Sequence, residues 1–309
     1  MVFFANALGD HLMNRPALAA MSAYFEGRLT LLARRGFPQI FFPDIPFARV
    51  VEQPVDCEAA ARAFDAREAA RAIGGCDLFL SLNPWHSPTV DRLIAELSPA
   101  QSVGFFEGFS TRLPLDFERH SVDLAFEVAR VLLPQARADD YANPIPLCDR
   151  DRELARRIRS RIGPGRRLLV VHNETKPEKQ WSPARMAQVL ALFLERNPDY
   201  FAIVLGEHQS AVDPGSWIEA VGMDLPSALG LIAEADLFLG VDSLWLHAAD
   251  LWRVPGVGIF GPTSAREFGF RFCRSACHVQ GAAATSEIAV EDVLDTLLRA
   301  HQFGRNRSP

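Results

Sequence analysis

Ala235-Asp236-Leu237-Phe238-Leu239-Gly240-Val241-Asp242-Ser243-Leu244-Trp245-Leu246-His247 is the stretch from which the fold can be read. Leu237–Val241 is short, apolar and bounded by turn residues, as expected of a strand buried on both faces of a parallel sheet. The segment from Ser243 to Leu251 suits a short helix whose first turn follows Asp242, leaving backbone N–H groups without intrahelical partners beside a hydroxyl. Val257-Gly258-Ile259-Phe260 then reads as a second buried strand, and Gly261-Pro262-Thr263 closes it with a polar turn. Strand, helix, strand in this order is a βαβ unit, and the helix N-terminus between the strands is suited to an anion.

Outward from this unit the same rhythm fills both halves of the chain. Upstream, Arg167–His172 and Phe201–Leu205 read as strands, and Ser182-Pro183 supplies an N-cap and a first-turn proline for a helix to about Arg196. Ser227–Ala233 reads as a short helix, and Glu287–His301 as a terminal helix. In the first half, apolar runs at Val2–Ala7, Leu29–Leu32, Gln39–Phe42, Leu78–Leu82 and Ser102–Phe106 alternate with helical patterns. Those patterns lie near His11–Phe25, Cys57–Ile73, Pro88–Leu97 and Ser121–Leu133. Between the halves, Pro134 to Cys148 carries Asn143-Pro144-Ile145-Pro146, which disfavours regular helix and marks a connection. The expected fold is therefore α/β, with two Rossmann-like domains, 1–148 and 149–309, facing a central cleft. The terminal helix is a candidate to return to the first domain.

Composition narrows the classes of function. With 309 residues, 49% hydrophobic and 23% charged, the chain is of ordinary globular character. A formal charge of -6 argues against a broad nucleic-acid surface, because such surfaces draw affinity from excess Lys and Arg. No run approaches the ~18 apolar residues of a membrane span, and the opening residues lack a basic leader. A cytoplasmic protein is expected, at most peripherally associated with the inner face of a membrane. Five scattered cysteines fit reduced thiols. Asp149-Arg150-Asp151 follows no expected strand and is a poor metal site, so neither metal nor resident cofactor is expected.

In such a fold, ligands bind beyond the carboxyl ends of strands. The loops there carry Gly9-Asp10, His172 to Trp181, Gly206-Glu207 and Asp242-Ser243. Their order, with Pro16-Ala17-Leu18, Lys179-Gln180-Trp181, Pro183, His247 and Phe260-Gly261-Pro262-Thr263, resembles the heptosyltransferase family of bacterial glycosyltransferases. Those enzymes transfer heptose from ADP-heptose to a lipopolysaccharide core. The resemblance spans nearly the whole chain and implies the GT-B architecture of two Rossmann-like domains, with inverting, metal-independent transfer from a nucleotide-sugar co-substrate.

Residue by residue, the resemblance implies that Asp10 is the general base, although the position also fits a cap for the helix expected at His11. Lys179 matches a lysine that contacts the donor phosphates, with Lys176 a second candidate. Glu207 matches a carboxylate for the ribose hydroxyls, or is a turn residue. Asp242, Ser243 and Leu244 would complete the diphosphate site; the family usually has Gly where Leu244 stands, which leaves open an altered donor or activity. His247 fits either a donor contact or a bond that steadies the loop. For the acceptor, Trp85, His86 and Glu107 stand in loops after expected strands of the first half. No basic cluster there is evident, so a glycan, a glycolipid and a small molecule all remain possible acceptors. A nucleotide-sugar epimerase of the same architecture, and a nucleotide-sugar-binding protein without catalysis, are the alternatives.

Overall fold

The computed structural model describes residues 1–55, 63–163, 165–207 and 217–305. It divides into two compact units, Met1–Pro146 and Leu147–Pro309. In the first unit, β1 (Val2–Phe4), α1 (Leu8–Tyr24), β2 (Thr30–Arg34), α2 (Pro38–Phe41), β3 (Arg49–Gln53) and α3 (Ala66–Ile73) come first. They are followed by β4 (Leu78–Ser81), α4 (Pro88–Leu97), β5 (Gln101–Gly104), β6 (Thr111–Arg112) and α5 (Ser121–Arg130). The strands form one parallel sheet in the order β3-β2-β1-β4-β5-β6.

The second unit repeats the plan. Its elements are α6 (Asp149–Arg161), β7 (Arg167–His172), α7 (Pro183–Arg196), β8 (Tyr200–Gly206), β9 (Trp217–Val221), α8 (Leu225–Ala233) and β10 (Leu237–Val241), then α9 (Leu244–Leu251), β11 (Gly256–Phe260), α10 (Ala265–Phe268), β12 (Cys277–Gln280) and α11 (Val290–Arg305). The sheet runs β12-β11-β10-β7-β8-β9, again all parallel. In each sheet the strand order reverses next to the first strand, at β1/β4 and at β7/β10. Such reversals open a crevice beyond the strand ends.

Burial follows from sequence character. Every residue of β10 is buried, as its unbroken apolar run requires of a central strand with helices on both faces. On one face, Trp181, Val189, Phe193, Leu294 and Leu297 from α7, α11 and the α7 entrance pack on Leu169, Leu239 and Ile259. The terminal helix thus packs on α7, β11 and β12 of the second unit. At the α7 entrance Ser182 is the N-cap and accepts from Arg185 N, with Pro183 beside it.

Several expectations are corrected. Gln39–Phe42, read as a strand, lies largely within the short helix α2, and the strand is Arg49–Gln53 instead. Pro38 at the start of the segment favours a helical first turn, whereas Arg49-Val50-Val51-Glu52-Gln53 carries the β-branched pair at a sheet edge. Helix α1 begins at Leu8, not at His11. Of the helix expected near Cys57–Ile73, residues 56–62 lie outside the described residues, and the rest yields α3. The connection before the second unit is held by a side chain far away in sequence. Buried Arg15 pairs through its guanidinium with both oxygens of Asp44, at 3.0 and 2.9 Å, and donates to the carbonyls of Phe41, Asn143 and Pro144.

Candidate functional site

The second unit's site is built on Asp242, the residue that follows β10 at the strand-order reversal. Its backbone N–H continues the sheet by donating to Ile259 O at 3.2 Å, which fixes the Cα position. The side chain is 5% exposed. A carboxylate so buried must be paired or hydrogen-bonded, and this one is both. Oδ2 accepts from Lys179 Nζ at 2.7 Å and from Thr263 Oγ1 at 2.8 Å. Oδ1 lies 3.8 Å from His247 Nε2, one turn into α9.

Lys179 reaches Asp242 because its loop is rigidly folded. Lys176 O accepts from the N–H groups of Lys179 and Gln180, closing a turn. Asn173 then brackets the loop, donating from Nδ2 to Trp181 O and accepting at Oδ1 from Trp181 N. Trp181 is fully buried, its indole N–H donating to Ile288 O at 3.3 Å. It packs the helix entrance. Lys179 keeps 26% of its side chain exposed, so its ammonium faces both Asp242 and solvent. Lys176 is exposed.

Thr263, not chosen from the sequence as a site residue, is delivered by the turn after β11. Gly261 is required there, because a Cβ would sit 2.4 Å from Thr285 N. Thr285 Oγ1 donates to Gln180 O at 2.7 Å, and Gln280 Nε2 donates to Gly261 O and Thr263 O. The Phe260–Thr263 turn and the Lys179 loop are therefore tied together behind the carboxylate.

Ser243 is the N-cap residue of α9, yet its hydroxyl makes no capping bond. It lies 3.1 Å from His172 Nδ1, at the end of β7. Burial pushes the His172 pKa down to about 3, against the opposing pull of Glu174, so the ring is neutral at physiological pH. His172 was also missed; only its place at a strand's carboxyl end marked it. With the serine turned aside, the first N–H groups of α9 have no side-chain cap, and Leu244 starts the helix half-buried. Those N–H groups, the helix dipole and Lys179 form a positive rim beside a buried, paired carboxylate.

Glu207 follows β8, with its side chain exposed and its backbone N–H donating to the Glu174 carboxylate. Beside it, between α7, the end of β8 and the length of β9, lies a cavity of about 320 Å³. Its walls include Met186 and Leu190 of α7, Trp217, Glu219 and Val221 of β9, and Glu174. Among the described residues, no group of three or more His, Cys, Asp or Glu is arranged to hold a metal ion.

In the first unit, Asp10 stands in the first turn of α1, half-buried. The N-cap is Ala7, so Asp10 does not cap the helix. His11 anchors this turn, with Nδ1 2.8 Å from Ala7 O and its ring among Phe4, Phe37, Phe41 and Phe42. Burial, reinforced by Arg34, lowers the His11 pKa to about 4, against the Ala7 bond. The Arg34 guanidinium lies 4.7 Å over the Phe37 ring, which meets His11 edge-on. A cation thus stands near the turn that carries Asp10, where the sequence showed no basic cluster.

Of the other first-unit candidates, Trp85 is half-buried and packs edge-on against Phe3 of the core. His86 is exposed, with Nε2 2.8 Å from Asp91 and its ring 5.8 Å from Phe106. Glu107 is almost fully exposed and 3.5 Å from Arg112. These residues form no shared polar cluster comparable to that around Asp242.

Comparison with known proteins gives this geometry its context. No curated protein matches the chain in sequence. Among solved structures, the glycosyl transferase family 9 protein of Veillonella parvula DSM 2008 is 18% identical with a TM-score of 0.76, over 99% of this chain and 96% of that one. The E. coli ADP-heptose lps heptosyltransferase II is 14% identical with a TM-score of 0.69, over 99% of each chain. The E. coli heptosyltransferase WaaC with ADP is 15% identical with a TM-score of 0.67, over 97% and 98%. At these identities the likeness establishes the two-domain α/β fold. The family model described as glycosyltransferase family 9 (heptosyltransferase) matches residues 109–285, a span that includes Lys179, Glu207, Asp242, Ser243 and His247 and leaves Asp10 outside it. With more than half of its length matched, the chain belongs to glycosyltransferase family 9 (heptosyltransferase).

Proposed function

We propose that this glycosyltransferase moves a heptose from ADP-heptose to an acceptor hydroxyl with inversion, the second unit binding the donor and the first the acceptor. The arrangement around Asp242 carries the reading: a lysine ammonium fixed at 2.7 Å by a buried carboxylate, next to an uncapped helix N-terminus. Cation and dipole together offer countercharge to a diphosphate, and most to the charge that develops as it departs. Because Lys179 and α9 supply this countercharge, the reading needs no metal ion.

The cavity beside Glu207 has the size of a nucleoside and an apolar body with carboxylates at its wall. Glu174 and Glu219 accept hydrogen bonds, which favours a base with an amino group, such as adenine, over uracil. Glu207 is the candidate for the ribose hydroxyls. Two E. coli proteins of this fold are named for ADP-heptose or carry ADP, in agreement with that donor.

For the transfer itself, the acceptor oxygen attacks the anomeric carbon as the bond to the diphosphate oxygen breaks, and the configuration inverts in one displacement. Asp10 takes the hydroxyl proton. A weak base serves, because the hydroxyl becomes acidic only as the new C–O bond forms. Arg34, near the Asp10 turn, suits an acceptor with an anionic group, glycolipid or smaller.

The test is to supply ADP-heptose with and without an acceptor panel and follow ADP release and sugar transfer. Transfer with an acceptor supports the proposal. Isomerisation of the donor without a second substrate identifies an epimerase, and binding without turnover on any acceptor identifies a binding protein. A thermal-shift comparison of ADP, GDP and UDP settles the base, since a ligand of the folded state raises the melting temperature.

A further inference from the structure

We propose that Thr263 is a positioning residue of the donor site, whose hydroxyl holds Asp242 in place when Lys179 transfers from that carboxylate to the donor diphosphate. The inference rests on the reading that the second unit binds a nucleoside diphosphate. Its starting observation is that one oxygen, Asp242 Oδ2, serves two donors of different kinds: the Lys179 ammonium at 2.7 Å and the Thr263 hydroxyl at 2.8 Å.

The two donors differ in mobility. Lys179 sits on a flexible four-carbon stem with a quarter of its side chain open to solvent, so its ammonium can swing to a phosphate. Thr263 cannot follow, because Gln280 Nε2 binds its carbonyl at 3.1 Å and that of Gly261 at 3.0 Å, and Gly261 packs against Thr285 N. Departure of the ammonium strips a 5% exposed carboxylate of its cation, a change that is strongly disfavoured unless other donors remain. Thr263 is the donor that remains. His247 Nε2, 3.8 Å from Oδ1, is near enough to tighten on the other oxygen.

Two consequences separate this role from a packing role. In the unliganded protein Lys179 still serves Asp242, so removing the threonine hydroxyl costs little stability. In the complex Asp242 depends on that hydroxyl, so the same removal weakens ligand binding. A residue that merely filled space would show the opposite balance.

The experiment uses the full chain as wild type, Thr263→Val, Thr263→Ser, Lys179→Ala and the double variant Thr263→Val/Lys179→Ala, with Thr263→Ala as substitute if the valine variant fails to fold. ADP binding is measured by calorimetry and unliganded stability by thermal unfolding. Thr263→Val is expected to weaken ADP binding about tenfold, the size of one hydrogen bond to a charged group, while its melting temperature stays within about 2 °C of wild type. Thr263→Ser restores the affinity. The double variant loses more stability than the two single changes together, because Asp242 then lacks both donors. ADP binding by Thr263→Val equal to wild type, or a serine variant as impaired as the valine one, overturns the proposal. A wild-type protein that binds no nucleoside diphosphate overturns the donor reading and this inference together, and the wild-type titration identifies that case.

Discussion

Ser243 occupies the N-cap of α9 but bonds to His172 instead, its hydroxyl 3.1 Å from Nδ1. The serine thus links the ends of β7 and β10 and leaves the helix N-terminus available to a ligand. The bond joins a hydroxyl to a neutral imidazole, and the ring's neutrality has a consequence for stability.

The folded pKa of His172, about 3, and that of His11, about 4, both lie below the ordinary 6.5. Between pH 6.5 and those values the unfolded chain binds protons that the folded chain refuses. The stabilisation is therefore complete above about pH 6.5 and declines as the pH falls. At pH 5 each histidine accounts for a loss of about 2 kcal/mol. Urea unfolding at pH 5 and pH 8 should show a lower midpoint at pH 5, and His11→Phe should reduce the difference. An equal difference in wild type and His11→Phe would exclude His11 from the effect.

Asp10 is expected to act on turnover alone. It stands in the first turn of α1 without capping it, so Asp10→Asn leaves the cap untouched. Replacing a general base typically costs about 10²–10⁴ in rate, so kcat should fall by that order while ADP affinity stays as in wild type. Transfer assays and calorimetry on the same preparation check both halves of the expectation. Undiminished turnover with correctly folded protein removes Asp10 from the mechanism.

The contrast between Asp10 and Thr263 shows what the sequence made legible. Central strands were legible because burial on both faces demands unbroken apolar runs, as in Leu237–Val241. Edge strands were not: β9 and β12 alternate or mix polar residues, and β6 spans only two residues. Candidate residues beyond strand ends were named from their position together with the family resemblance. Thr263 and His172 acquire their contacts from partners 21 and 71 residues away, through pairings that only the folded sheet creates. Arg15 is the same case at longer range: its mid-helix position gave no sign that it would bind the carbonyls of Asn143 and Pro144.

Asp250 should oppose the histidines. Burial raises its pKa to about 6, although the backbone N–H groups of Arg271, Phe272 and Cys273 all donate to it and pull the other way. A raised carboxyl pKa means that the folded chain binds the extra proton between 3.8 and about 6, so this contribution is present below pH 3.8 and is lost as the pH rises through 6. Asp250→Asn removes it and should steepen the acid loss between pH 6 and pH 4. It also replaces one acceptor oxygen by an NH₂ group facing a backbone N–H, which should cost about 1–3 kcal/mol at neutral pH. Chemical unfolding of the variant across that pH range measures both effects; a shallower acid limb than wild type contradicts the assignment.

If the cavity beside β8 takes the base, base recognition and phosphate recognition can be tested apart. Ala187 on α7 is one of its wall residues, and an indole at that position would occupy much of the 320 Å³. If the nucleoside sits there, Ala187→Trp should weaken ADP binding by about tenfold or more, corresponding to 1.4 kcal/mol per decade. Inorganic pyrophosphate, which needs only Lys179 and the α9 N-terminus, should bind as before. Lys179→Ala should weaken both ligands, because it removes the cation they share. Calorimetric titration of the two variants with the two ligands gives four affinities from which the subsites can be assigned. ADP binding unaffected by Ala187→Trp, with the variant folded, would place the base elsewhere and leave the cavity without a part in donor recognition.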